Sequence, residues 1–200
     1  MLQDRLEAFG AILIEGPKWT GKTTTAVQHA KSVIRLQDPD KVDEYVATAA
    51  TMPSLLLKGD KPRLIDEWQD APKIWDAVRL AVDNSGGQPG QYILTGSNTV
   101  DKAKIRHTGT GRITRMKMYP MSLWESKDSS GEVSINALFD NPHYDINGAT
   151  SHLDIPSLIR VACRGGWPVT LQMNDKACMM IAKDYVNSVC ANDISAIDGK

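Results

Sequence analysis

The sequence predicts an α/β fold, with a mainly parallel sheet flanked by helices. Three features carry that prediction. Short apolar runs alternate with segments of helical periodicity. A glycine-rich loop sits between one such run and a helix. A later apolar run ends on two adjacent acids. Alternation of this kind implies βαβ units. The 200 residues suffice for one α/β domain and the start of a second. With 42% hydrophobic and 24% charged residues, a sizeable core can be buried. A net charge of −1 supplies no global field to recruit nucleic acid or an anionic membrane.

Taken in order, residues 1–9 read as a short helix with Leu2, Leu6 and Phe9 on one face. GAILIEG is an apolar run bounded by glycines, the pattern of a buried parallel strand. From Lys22 a helix follows, with Ala26, Val27, Ala30, Val33 and Ile34 at helical spacing; VIRLQD overlaps its end or forms the second strand. RLIDE is a third strand. Residues 71–83 form a helix with Ile74, Trp75, Val78 and Val82 in one stripe, ended by Gly86 and Gly87. QYILTGS is a fourth strand and GRITRMKMY a fifth, ending at Pro120. Residues 126–152 are polar and read as a surface loop or linker. Helices follow near 154–163 and 175–190, the second capped by Asn174.

Cys163, Cys178 and Cys190 are odd in number and form no CxxC pair, as expected of reduced thiols in a cytoplasmic protein. There is no secretory pattern. The longest apolar run, AILI, falls far short of the ~20 residues of a membrane span.

GPKWTGKT, residues 16–23, fits G-x-x-x-x-G-K-[ST] at every fixed position. A loop that wraps a phosphate must turn its backbone N–H groups inward, and glycine permits the angles this needs. The helix that opens at Gly21, Lys22 and Thr23 offers its N-terminus to an anion. The nucleotide-binding set is therefore Gly16, Pro17, Lys18, Trp19, Thr20, Gly21, Lys22, Thr23 and Thr24. Lys22 would reach the β- and γ-phosphates, Thr23 would ligate Mg²⁺, and Trp19 marks the loop's outer apex.

RLIDE sets Asp66 and Glu67 at a strand end, one helix and one strand after Lys22. Asp66 would hold Mg²⁺, and Glu67, on the other face of the strand end, would polarise the attacking water. The next strand end brings Thr95, Ser97 and Asn98 to the same edge; Ser97, with Asn98 as alternative, would sense the γ-phosphate or hold the water. RHTGTGRITR offers Arg106, Arg112 and Arg115 to stabilise transition-state charge, with His107 read as a surface or packing residue. Trp68, Trp75, Trp124 and Trp167 read as core or interface.

GPKWTGKTT, RLIDEWQDAPKIWDAVR, YILTGSN, GTGRI and YPMSLWE, in that order, resemble the AAA-like ATPases of bacteria and archaea that carry an uncharacterised C-terminal domain. The likeness covers roughly residues 1–125; CRGGWPVTLQ and the following helix resemble the opening of the C-terminal domain. It implies a P-loop NTPase core of the additional-strand (AAA/RecA-like) type, with strands ordered five-one-four-three-two. It implies Lys22, Thr23, Asp66 and Glu67 in the roles above and Arg112 as the arginine of a GR motif. It also implies a chain cut just inside its second domain: a core at 1–125, a linker at 126–152 and a helical segment at 153–200. The loop departs from the family's usual interior at KWT, where the fixed chemistry does not reside.

The expected function is ATP binding and Mg²⁺-dependent hydrolysis. A small-molecule P-loop kinase is the first alternative, although 126–152 holds no arginine for a lid. A nucleotide-dependent switch associated with DNA is the second, resting on Lys102, Lys104, Arg106, Arg112, Arg115 and Lys117. No NKxD motif speaks for GTP. An arginine acting on a neighbour's nucleotide would make the active state a homo-oligomer.

Overall fold

The computed structural model describes residues 1–96, 108–141 and 143–193. The chain divides into two compact units, Met1–Tyr119 and Pro120–Lys200.

The first unit is built on five strands: β1 (Ala11–Glu15), β2 (Ser32–Arg35), β3 (Arg63–Asp66), β4 (Tyr92–Gly96) and β5 (Ile113–Lys117). All pairings are parallel, in the order β2-β3-β4-β1-β5. Read from the other edge, this is the order the family resemblance implies. β1 and β4 are apolar on both faces because both faces are covered: Ala11, Ile12, Leu13 and Ile14 are at most 2% exposed, and Ile93, Leu94 and Thr95 are fully buried.

Among the described residues, four helices cover the sheet: α1 (Leu2–Ala8), α2 (Lys22–His29), α3 (Val42–Thr51) and α4 (Lys73–Asn84). The amphipathic stripe of α4 (Ile74, Trp75, Val78 and Val82) packs with Leu13, Leu94, Ile113 and Trp68 on one face of the sheet. Leu2 and Leu6 of α1 and Ala26 of α2 pack with Ile12, Ile14, Leu64, Ile93 and Met116 on the other. Gly86 and Gly87, both left-handed, end α4; the N–H of Gly87 donates to the Val82 carbonyl.

Two boundaries differ from those the sequence suggests. α2 stops at His29, Ala30 is extended, and Val33 and Ile34 belong to β2. The helical spacing there was coincidental: Val27 and Val33 are more than a third exposed, and Ile34 is buried as a strand residue. α3 has no counterpart in the sequence reading. Its sequence, VDEYVATAAT, is rich in β-branched residues, its start has no side-chain cap, and it buries only Ala49.

In the second unit, the segment read as a loop contains a six-residue helix, α5 (Ile135–Asp140), capped by Ser134. α6 (Ile155–Arg164) is capped by Asp154 and α7 (Asp175–Ser188) by Asn174, whose side-chain oxygen accepts from the Ala177 N–H at 2.9 Å. Asp128 pairs with Arg164, and Trp167 packs on Tyr185 with ring centroids 4.6 Å apart. Trp68 and Trp75 are core, 5.0 Å apart, whereas Trp124 is 65% exposed. Cys178 is buried, and Cys163 and Cys190 are exposed. No helix among the described residues is long and apolar enough to cross a membrane.

Candidate nucleotide site

β1 ends at Glu15 and the chain turns at once. A Cβ on Gly16 would lie 2.1 Å from the Met118 carbonyl oxygen, so only glycine fits against the chain just past β5. Trp19 (φ 66°) and Gly21 (φ 90°) are left-handed, and they curl the loop back to the N-terminus of α2. Trp19 stands at the apex, half exposed. Thr20 is buried, and its hydroxyl donates to the Pro17 carbonyl, bracing the loop from within. Thr24 is exposed one residue beyond Thr23.

Lys22 opens α2 and is only 7% exposed. Its ammonium donates to the carbonyls of Gly16 (2.9 Å) and Pro17 (2.8 Å). The cation thus lies across the mouth of its own loop. Burial lowers its pKa, and the negative charges of Glu67 and Asp66 oppose that shift.

The first acid sits beside it. Asp66, the last residue of β3, is 8% exposed and accepts from two hydroxyls through one oxygen. Thr23 donates at 2.7 Å, and Thr95, from the neighbouring strand β4, donates from the other side. The backbone N–H of Glu67 donates to the Thr95 hydroxyl at 3.3 Å. Thr95 therefore holds the acid strand rather than standing free to meet a water. Asp66 and Thr23 present only hard oxygen donors, which suits Mg²⁺. No cluster of three or more His, Cys, Asp or Glu side chains occurs among the described residues. A hydroxyl and a carboxylate supplemented by water and phosphate oxygens is how Mg²⁺, rather than a caged metal, is usually held.

Glu67 is not aimed by strand alternation, as the sequence suggests. β3 ends at Asp66, and Glu67 adopts a left-handed conformation (φ 55°, ψ 49°) that leads into a 3₁₀ turn, Trp68–Asp70. Its carboxylate accepts from the Gln69 side-chain amide. Sequence reasoning passed over Gln69; its only signal was a polar residue two positions after the acid pair.

Ser97, Asn98, Arg106 and His107, together with Lys102 and Lys104, lie outside the described residues. Arg112 precedes β5, whose first residue pairs with Ala11 at the start of β1. It therefore stands at the opposite end of the sheet from the loop, which follows Glu15. There it pairs with Asp83 at 2.7 Å and donates to the Thr110 carbonyl. Arg115, inside β5, pairs with Glu15 at 3.1 Å and lies over the Trp75 ring. A cavity of about 1170 Å³ between α4 and residues 53–61 shares no residue with the loop or with Asp66 and Glu67. It is therefore a separate feature from the glycine-rich loop and the two acids.

No curated protein matches the chain significantly. A family model described as AAA domain matches residues 8–127. That span covers the whole sheet and its loop. With a parallel β2-β3-β4-β1-β5 sheet and Lys22, Thr23 and Asp66 gathered at the end of β1, the chain belongs to the AAA domain family of nucleotide-binding, AAA-like ATPase domains.

Proposed function

We propose that this domain binds ATP with Mg²⁺ and hydrolyses it. The observation that carries the reading is the bond from Thr23 to Asp66 directly beside the loop, with Glu67 next in the chain. The loop N–H groups and the α2 N-terminus would take the β-phosphate. Lys22, released from the Gly16 and Pro17 carbonyls, would span the β- and γ-phosphates. Thr23 and Asp66 would hold Mg²⁺, which when bound neutralises charge on the phosphates. Glu67 would accept a proton from water as the water oxygen bonds to the γ-phosphorus and the bond to ADP breaks. Ser97, the next residue in the chain after Gly96, is proposed to assist.

The test is phosphate release by the protein with ATP, Mg²⁺ and γ-labelled phosphate. The label is expected in inorganic phosphate, with turnover abolished by EDTA and restored by excess Mg²⁺. Label appearing in an added metabolite would show a kinase instead, and turnover insensitive to EDTA would remove Thr23 and Asp66 from the metal role. Adding duplex DNA to the same assay tests the basic segment as an effector site.

Arg112 stands too far from its own loop to serve it, so we propose that it serves a neighbouring protomer. Such an arginine contributes roughly 10³–10⁵ in rate where it is an established finger. Mixing inactive Arg112→Ala and Lys22→Ala proteins should then restore activity at interfaces that pair an intact loop with an intact arginine. If mixing restores none, the Asp83 pair is the whole role of Arg112.

A further inference from the structure

The short turn after the acid pair contains a side chain with an unusual hydrogen-bond balance. Gln69 gives its amide N–H to Glu67 Oε2. Its own Oε1 is shut off from solvent and meets no donor among the described residues. A carboxylate can only accept, so the amide nitrogen must face Glu67 and the oxygen must take the other side. On that side lies Gly96, the last residue of β4. A Cβ there would come within 2.6 Å of Gln69 Oε1 and 3.0 Å of Trp68 Nε1, and that indole nitrogen is likewise buried without a partner among the described residues. A buried acceptor left unpaired is destabilising. The molecule carries this cost while the one hydrogen bond that the Gln69 side chain makes among the described residues goes to Glu67. Glu67 itself is held in left-handed backbone, which a glutamate rarely adopts. Backbone and side chain are thus both constrained at the same residue, by Thr95 on the N–H and by Gln69 on the carboxylate.

We propose that Gln69 is a positioning residue for Glu67: its amide holds one carboxylate oxygen so that the other is left to take the proton from water, and Gly96 provides the clearance the amide needs. The inference rests on the reading of Glu67 as the base. Gln69 touches no reacting atom; it acts by removing rotational freedom from the group that does. A misplacement of about 1 Å at such a group costs on the order of a hundredfold in rate.

The experiment is a double-mutant cycle on kcat, using wild type, Gln69→Ala, Glu67→Gln and the double variant. The dissociation constant of a fluorescent ATP analogue is measured for each. Gln69→Ala is expected to lower kcat roughly ten- to a hundredfold while leaving the dissociation constant within about twofold. In the Glu67→Gln background it should lower kcat no further, because residues that act through one another are not additive. Gln69→Glu adds a readout that a packing role would not move. It sets a second carboxylate against Glu67, so activity should be low at neutral pH and rise as acid supplies a shared proton. If Gln69→Ala loses its melting transition, Gln69→Met, similar in length but without a donor, takes its place. Four results would overturn the proposal: an unchanged kcat, an equal fall in both backgrounds, a rise in kcat, or a change confined to the dissociation constant. Wild-type turnover in Glu67→Gln alone would instead refute Glu67 as the base, which separates failure of the inference from failure of the reading beneath it.

Discussion

Lys22→Ala is expected to raise the dissociation constant for ATP by about 10²–10³. Hydrogen bonds to charged groups contribute roughly 1.5–3 kcal/mol each, and 1.4 kcal/mol is a factor of ten. An ammonium spanning two phosphates supplies two such bonds, less what water returns when the side chain is gone. Lys22 is suited to large losses because it is nearly buried and opens the helix whose N-terminus would face the anion. Alanine is the best helix former, so α2 should persist. The cost to the unliganded protein falls on the Gly16 and Pro17 carbonyls, which lose their donor, and on Glu67 and Asp66, which lose a nearby cation. Calorimetry reads the outcome, with thermal melting as the check that the variant is folded. Equal ATP affinity in wild type and variant would remove residues 16–24 as the nucleotide loop.

Glu67→Gln should separate binding from turnover. Loss of a general base costs about 10²–10⁴ in rate. The substitution keeps length and shape, and the glutamine carbonyl oxygen still accepts from Gln69. Affinity for ATP should therefore hold while phosphate release in a single-turnover assay falls by that range. Asp66 is a poor substitute base, because one of its oxygens already accepts from both Thr23 and Thr95. Undiminished hydrolysis would move the base to the segment beyond Gly96.

The fold was legible where sequence chemistry is local and strong. The loop is fixed by glycines and a lysine at set spacing, β1 and β4 by unbroken apolar runs, and α4 by a clean stripe ending in two glycines. α3 was illegible because its β-branched residues offset its alanines and it buries no amphipathic face; its neighbours 53–57 and α4 hold it in place. Within the site, the placement of Thr23, Asp66 and Glu67 at one sheet edge follows from strand direction alone. The aim of Glu67 does not, because a left-handed residue at a strand end leaves no mark on composition. The role of Thr95 was hidden for a different reason. A hydroxyl at a strand end reads the same whether it faces a ligand or a neighbouring strand, and only the pairing of β4 beside β3 decides.

That pairing has a consequence for how the protein is made. β1, which leads into the loop, and β3, which carries Asp66, do not pair with each other; β4 lies between them and pairs with both. Tyr92 of β4 meets Ala11 of β1 about eighty residues later in the chain, a separation that makes closure slow. A nascent chain that has left the ribosome only as far as Asn84 already contains the loop, both acids and α4, yet lacks the strand that joins them. At about 5–20 residues per second, the interval before β4 arrives is of the order of a second. During that time the acids and the phosphate loop belong to separate pieces of structure. On the proposed reading of the site, nucleotide would have little to bind until β4 slots in, and ATP would stabilise the finished sheet rather than guide its assembly.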